Sequence, residues 1–356
     1  MGFYWTLCVF GIICTLIAQF SKDKINKRFF LFAFFLVAFV FAALRVNIGI
    51  DYYGHYVIYE GIRKGNITPF LLEPLYLLFN LIFIETNIGY PGLVFLTSFL
   101  TLYPIYAISK KEENPFFFLF YFLLMYLIGY ALIRQYLALS FEIYGFYIFY
   151  KLNKKKTGIF LLFLGCCVHN SMIILLFSFC CSAIFKFNNK LTILLSLVLF
   201  IFGFFTNYIL DFIFALAKNT RYGVYTEVFN SNNTKTVIGS GLGVILRFFT
   251  YYMFYFLSAK WTVNKKMQKS FNILFLCMIL ADVLSLKITI LLRLRFVFQA
   301  ILFWPLFSYK INSKNIACIS NLVLLSIFFI YLLFFQSTAS WECIPYQTIL
   351  FNSIQK

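Results

Sequence analysis

The sequence predicts an all-α fold, a polytopic transmembrane helical bundle of about 12 spans, on three observations. Hydrophobic residues make up 62% of the 356, and 51 residues are Phe; no water-soluble core could hide that much apolar surface. Long uncharged runs recur, such as PFFFLFYFLLMYLIGYALI at 115–133 and NLVLLSIFFIYLLFF at 321–335, and the alternating segments of a barrel are absent. Finally, 18 of the 30 Lys and Arg residues fall in six short loops between apolar runs.

Those loops are SKDKINKR (21–28), KK (110–111), KLNKKK (151–156), KFNNK (186–190), KWTVNKKMQK (260–269) and KINSK (310–314). Short basic loops mark the cytoplasmic side of a membrane protein. They account for the formal net charge of +18 without a nucleic-acid partner. Membrane lipid is the polymer-free environment that the charge pattern implies.

With all six loops inside, crossings fall near 3–20, 29–44, 91–109, 115–133, 135–150, 157–168, 170–185, 191–209, 241–259, 270–286, 289–308 and 315–335. The first has no basic residue before it and no small-residue cleavage site, so it is expected to be a retained span. The apolar stretch 70–85 is left over and is expected to be re-entrant or peripheral. Spans 157–168 and 170–185 are short for a bilayer core of ~30 Å and suggest a pinched hairpin whose turn, VHNS, lies below the surface. No linker or repeat divides the chain. The expectation is a single integral membrane domain, 1–356, with external loops at 45–69 and 218–240 and an external C-terminal segment at 336–356. The nine cysteines lie mostly within apolar runs and fit neither a disulfide framework nor a metal pattern, so most are packing residues.

On the outer side lies the stretch ALRVNIGIDYYGHY (43–56), whose Arg45 follows sixteen residues without a charge. Arg45 suits the C-terminal end of the second span, where a cation meets the helix dipole. Gly49 and Gly54 are expected to let the chain turn tightly and approach a ligand. Asp51, Tyr52 and Tyr56 are expected to face an outward cavity. Arg134 sits between two spans, His169 in the short turn, and Arg221 with Tyr222 in the loop 218–240. Arg247 lies six residues into its span, roughly 9 Å deep at 1.5 Å per residue, and Arg293 and Arg295 are similarly placed. Arginine held at such depth needs a partner or a wet cavity. Aromatic faces beside carboxylates suit sugar rings, and guanidinium forks suit phosphate oxygens. The combination points to a ligand both glycosidic and phosphorylated. His55 reads as an exposed loop residue, Glu142 as a mid-span acid needing a structural hydrogen bond, and Asp282 as a partner for Lys287.

The stretch R-x-N-x-G-x-D-Y-x-x-Y at 45–56, EPLY at 73–76, IRQYLA at 133–138, HNS at 169–171, RxRFVFQ at 293–299 and PY at 345–346 occur in that order. In that order they resemble the Wzy/EpsG-type polysaccharide (O-antigen) polymerases of bacterial inner membranes. The resemblance covers nearly the whole chain and implies a glycosyltransferase-C-like bundle in the inner (cytoplasmic) membrane with its active face periplasmic. It implies metal-independent transfer of a growing glycan from undecaprenyl pyrophosphate onto a second lipid-linked repeat unit, with no cofactor, and a separate protein that regulates chain length. Glu73 and Tyr346 join the substrate-binding candidates through these motifs. The loop holding Arg221 is shorter than in many relatives.

The twelve acidic residues never occur as D-x-D, D-x-E or E-x-D, the pairs that metal-using membrane glycosyltransferases often carry. Leaving-group charge then falls to arginines, as electrostatic transition-state stabilisation, and either His169 or Asp51 serves as base toward the acceptor hydroxyl. A lipid-linked oligosaccharide flippase is the competing reading, but it requires charges lining a cavity open to both sides. A ligase of the O-antigen type would share the transfer chemistry, whereas a membrane O-acyltransferase would need a histidine–acid motif that is not evident.

Overall fold

The computed structural model describes residues 2–66, 72–185, 187–203 and 265–285, short pieces within 244–256 and 293–298, and residues 343 and 346–349. The chain divides into two compact units, one formed by 1–173 with 306–356 and the other by 174–305. The named elements among the described residues are all helices: α1 (Gly2–Phe20), α2 (Lys24–Ala43), α3 (Tyr52–Arg63), α4 (Pro74–Glu85), α5 (Tyr90–Lys111), α6 (Pro115–Ala131), α7 (Ile133–Tyr150), α8 (Lys155–Val168), α9 (Met172–Ile184), α10 (Asn189–Phe202) and α11 (Lys265–Ser285). Four of these, α1, α2, α5 and α11, are long and apolar enough to cross a membrane, and α4, α6, α9 and α10 contribute shorter apolar helices.

Local chemistry sets the helix starts. Asp23 caps α2 by accepting from Ile25 N at 3.0 Å, and Asn188 caps α10 by accepting from Leu191 N at 2.8 Å. Proline stands in the first turn of α4, α5 and α6, where its missing N–H leaves nothing unsatisfied. Inside α5, Pro104 cannot donate to Leu100, four residues earlier. The Ser140 hydroxyl of α7 reaches that carbonyl at 3.0 Å and the Leu137 carbonyl at 2.8 Å.

In the first unit α5 packs on α2, α6 and α7, and α1 packs on α2 and α6. The α7–α8 interface is built from glycine. A Cβ on Gly158 would lie 2.7 Å from the Phe149 Cβ, and one on Gly145 would lie 3.1 Å from the Gly158 carbonyl. Small residues of this kind let helices in a membrane approach closely. The leftover stretch becomes α4, whose 12 residues extend about 18 Å and pack on α5 and α8.

The segment 45–69, expected as loop, contains α3. Tyr52 and Tyr59 of α3 enter a cluster with Tyr76 of α4, Tyr90, Leu93 and Val94 of α5, and Ile133 of α7. Three readings of this stretch change accordingly. Tyr52 belongs to an aromatic core, with its carbonyl accepting from the Tyr90 hydroxyl at 3.1 Å. His55 is 4% exposed, because its ring meets that of Tyr76 with centroids 5.6 Å apart. Gly54 lies inside the helix with open space around it, so it makes no turn. Gly49 does: its φ is +97°, and a Cβ there would strike the Tyr130 carbonyl. Glycine is required by a neighbouring backbone, whatever ligand is present.

In the second unit, Asn272 of α11 accepts from the Tyr255 hydroxyl and donates to the Phe187 carbonyl, each at 2.9 Å. Ser182 and Ser270 meet at 2.7 Å. Arg295 Nη1 lies 3.4 Å from Asp282 Oδ1. Asp282 is thus matched by Arg295 and not through the expected Lys287 alone, which lies outside the described residues; the arginine approaches from thirteen positions along the chain.

Candidate functional site

Arg45 follows the end of α2, where the last carbonyls have no partner within their own helix. It is only 3% exposed. Its Nη1 donates to the Ala42 carbonyl and to Ser98 Oγ of α5 at 3.0 Å, and Ser98 in turn donates to Ala42 at 3.1 Å. The guanidinium carbon stands 4.6 Å from the Tyr130 ring centroid, a cation–π arrangement. Among the described residues no carboxylate pairs with Arg45, and its buried Nε has no hydrogen-bond partner. A small open cleft of about 20 Å³ lies beside it, lined by Arg45, Thr97, Ser98, Tyr126, Tyr130 and Ile133 among others.

Residues from the far end of the chain hold this arginine. Arg45 forms an antiparallel bridge with Thr348, Val46 N donates to the Gln347 carbonyl at 3.1 Å and Ile349 N to that of Leu44 at 3.0 Å. The Tyr346 hydroxyl donates to Phe41 at 2.7 Å, and its ring stacks on Phe3 at 4.0 Å. Burial pushes the Tyr52 and Tyr346 phenols above their ordinary values, while the Arg45 charge pulls both the other way. Both tyrosines thus feel Arg45, but as packed residues: Tyr346 fastens α2.

A second constellation joins three motifs. Glu73 is the N-cap of α4, yet its side chain makes no capping bond. One carboxylate oxygen instead meets Arg134 Nη1, in the first turn of α7, at 3.0 Å, and the other accepts from the backbone N of Asn170 at 3.4 Å. Arg134 also lies over Tyr76, 5.3 Å from its centroid. EPLY, IRQYLA and HNS are therefore one cluster. His169 ends α8 with extended backbone. Its Nδ1 accepts from Ser171 N at 3.1 Å and lies 2.8 Å from Ser171 Oγ.

Asp51 begins α3, one helical turn before His55, with no side-chain capping bond. Tyr56 is exposed, 5.5 Å from the Tyr90 ring. Arg293 is exposed, and Arg295 is buried against Asp282. Arg221 and Arg247 lie outside the described residues. Glu142 is fully buried on α7 facing α8, where a Cβ on Gly165 would fall 2.6 Å from its Oε1. The expected hydrogen bond to Glu142 is absent among the described residues.

Two residues eluded sequence reasoning. His55 carries no local signal that a tyrosine twenty-one positions on would cover it. Ser98, the side chain that shares Ala42 with Arg45, is one serine in an apolar run.

The family model described as EpsG family matches residues 27–348, which includes every motif above. No curated protein and no solved structure matches.

Proposed function

The chain belongs to the EpsG family, and from that membership we propose that it is a membrane polysaccharide polymerase, a glycosyltransferase acting on lipid-linked glycans. The observation that carries this reading is Arg45, a buried cation beside an open cleft with no carboxylate partner among the described residues. An uncompensated buried charge is costly, and an anion in the cleft would relieve it. Pyrophosphate on a polyprenyl carrier, undecaprenyl in a bacterial inner membrane, supplies that anion together with an apolar tail suited to the bundle.

In the reaction the acceptor sugar hydroxyl attacks the first sugar of the growing glycan, and the carrier pyrophosphate departs. Arg45 holds the departing charge from the outset, so its donors need no reorganisation as the bond breaks. Arg221, Arg247 and Arg293 are further candidates for phosphate oxygens. Arg134 with Glu73 arranges the His169 turn, and Tyr56 offers an aromatic face to sugar. His169 or Asp51 takes the acceptor proton. The full bundle is about 12 spans of glycosyltransferase-C type, with this face periplasmic, and a separate regulator sets chain length. No divalent cation is needed, because guanidinium groups carry the charge that a metal would.

Purified protein in lipid nanodiscs, given lipid-linked repeat units, should build polymer in excess EDTA. Failure to polymerise defined units, or polymerisation only with added divalent cation, would sink the respective part of this reading.

A further inference from the structure

We propose that the chain binds an anionic phospholipid at the end of α2 opposite Arg45, with the lipid phosphate held among Lys24, Lys27, Arg28 and Lys110.

The site lies where helix ends meet. α1 ends at Phe20 and α2 begins at Lys24, while α5 ends at Lys111 and α6 begins at Pro115. α2 packs on α1 and α5, and α6 packs on the same two. Because α1, α2 and α5 are long and apolar enough to cross a membrane, their ends reach headgroup level. Here an open cleft is lined by the four cations and Glu113, together with apolar side chains. Arg45 follows the other end of α2, about 30 Å along the helix, so this site is separate from the glycan chemistry.

Charge in the cleft does not balance. Four cations share it with one carboxylate, and among the described residues none of the four has an ion-pair partner. The neighbouring acids are engaged elsewhere. Asp23 caps α2, while Glu112 meets Lys151 at 3.4 Å and accepts from the Tyr147 hydroxyl at 2.6 Å. Lys110 Nζ has a tyrosine face instead, 5.8 Å from the Tyr106 centroid. Like charges gathered in one cleft repel, and a bound phosphate relieves them. Basic pockets between the ends of membrane spans take up anionic head groups in this way.

The adjoining surface selects a lipid over free phosphate. Lys24, Lys27, Arg28 and Leu31 recur at the spacing of one helix face. Beside that face runs a second stripe, Ile25, Phe29, Phe32 and Leu36, which is 42–76% exposed. Leu16, Ile17 and Phe20 of α1 are exposed as well. Acyl chains descending from the bound phosphate meet these side chains, whereas inorganic phosphate has no part that uses them.

Protein purified in a neutral detergent and titrated with phosphatidylglycerol tests the site, with native mass spectrometry reading the bound lipid beside the thermal unfolding midpoint. Phosphatidylglycerol should stay bound and raise the midpoint, because a ligand of the folded state stabilises it. Phosphatidylcholine at the same concentration should do neither. Lys27→Gln with Arg28→Gln and Lys110→Gln should weaken phosphatidylglycerol binding by on the order of 10²-fold. Removing as many charges at Lys154, Lys155 and Lys156 should leave it within about threefold, since charge acting at long range is screened by salt. Glu113→Gln should tighten binding several-fold, a gain that a misfolded variant does not mimic. Equal losses in the two triple variants would reduce the effect to general surface charge and overturn the site. Phosphatidylcholine bound as tightly, or displacement of the lipid by an equal concentration of inorganic phosphate, would overturn the anionic-lipid assignment. Should the cleft triple variant not fold, Glu113→Gln decides alone, and unchanged or weaker binding there overturns the proposal.

Discussion

Arg45 and Arg295 are 3% and 6% exposed, and both were expected to hold phosphate. Arg295 lies in the 174–305 unit with the Asp282 carboxylate 3.4 Å away. Arg45 lies in the other unit with two neutral oxygens and a tyrosine face around it, beside an open cleft. The first charge has a carboxylate beside it, while among the described residues none stands beside the second. Burial and residue type are nearly equal, so the counter-ion is what distinguishes the two.

The comparison breaks most sharply at Asp282. Its replacement by Ala should strand Arg295 and cost about 3–5 kcal/mol, read as a large fall in the thermal unfolding midpoint in detergent. Exchanging both partners for apolar residues, Asp282→Leu with Arg295→Met, should recover most of the loss. An Ala variant that unfolds no earlier than wild type would mean that Arg295 is as unmatched as Arg45.

Arg45→Ala should do the opposite. No partner is stranded, so the unfolding midpoint should hold or rise, while polymer is lost through roughly 2–4 kcal/mol of transition-state stabilisation. Arg45→Lys should restore activity only in part, since an ammonium lacks the fork. Gel analysis of the product beside a melting curve separates the two effects; full-length polymer from the Ala variant would remove Arg45 from the reaction.

Gly49→Ala sharpens the comparison from the backbone side. The left-handed φ and the Tyr130 carbonyl both oppose a Cβ, and such strain costs on the order of 1–3 kcal/mol. Because Tyr130 also stacks on Arg45, activity should fall along with the midpoint. The smallest effect belongs to the partly exposed Glu73–Arg134 pair. A double-mutant cycle with Glu73→Gln and Arg134→Gln should give a coupling of about 1 kcal/mol or less in stability.

Helix positions were legible wherever apolar runs are long, with a proline start marking α5 and α6 as well. The run 3–20 is α1 at Gly2–Phe20, 91–109 is α5 at Tyr90–Lys111, and 115–133 with 135–150 become α6 and α7 around Leu132. α3 was not legible, because YYGHYVIYEGIR mixes glycine, charge and aromatic rings in a way that reads as loop. Its helix is stabilised by burial against Tyr76 and Tyr90, which no local pattern announces. At the site the order of the motifs was visible, but not the pairing of Glu73 with Arg134 across 61 positions. Nor was the approach of Arg295 to Asp282 visible, since thirteen positions separate them; Lys287, the expected partner, lies outside the described residues.

The fastening of residues 343 and 346–349 onto Tyr4 and the end of α2 also orders events in time. A ribosome delivers α1, α2 and Arg45 early, and the backbone that pairs with Arg45 some three hundred residues later. Until that segment arrives, Leu44 and Val46 lack these backbone partners, while Ala42, Ser98 and Tyr130 already surround the guanidinium. A chain cut before residue 343 should therefore lack the backbone pairing behind Arg45.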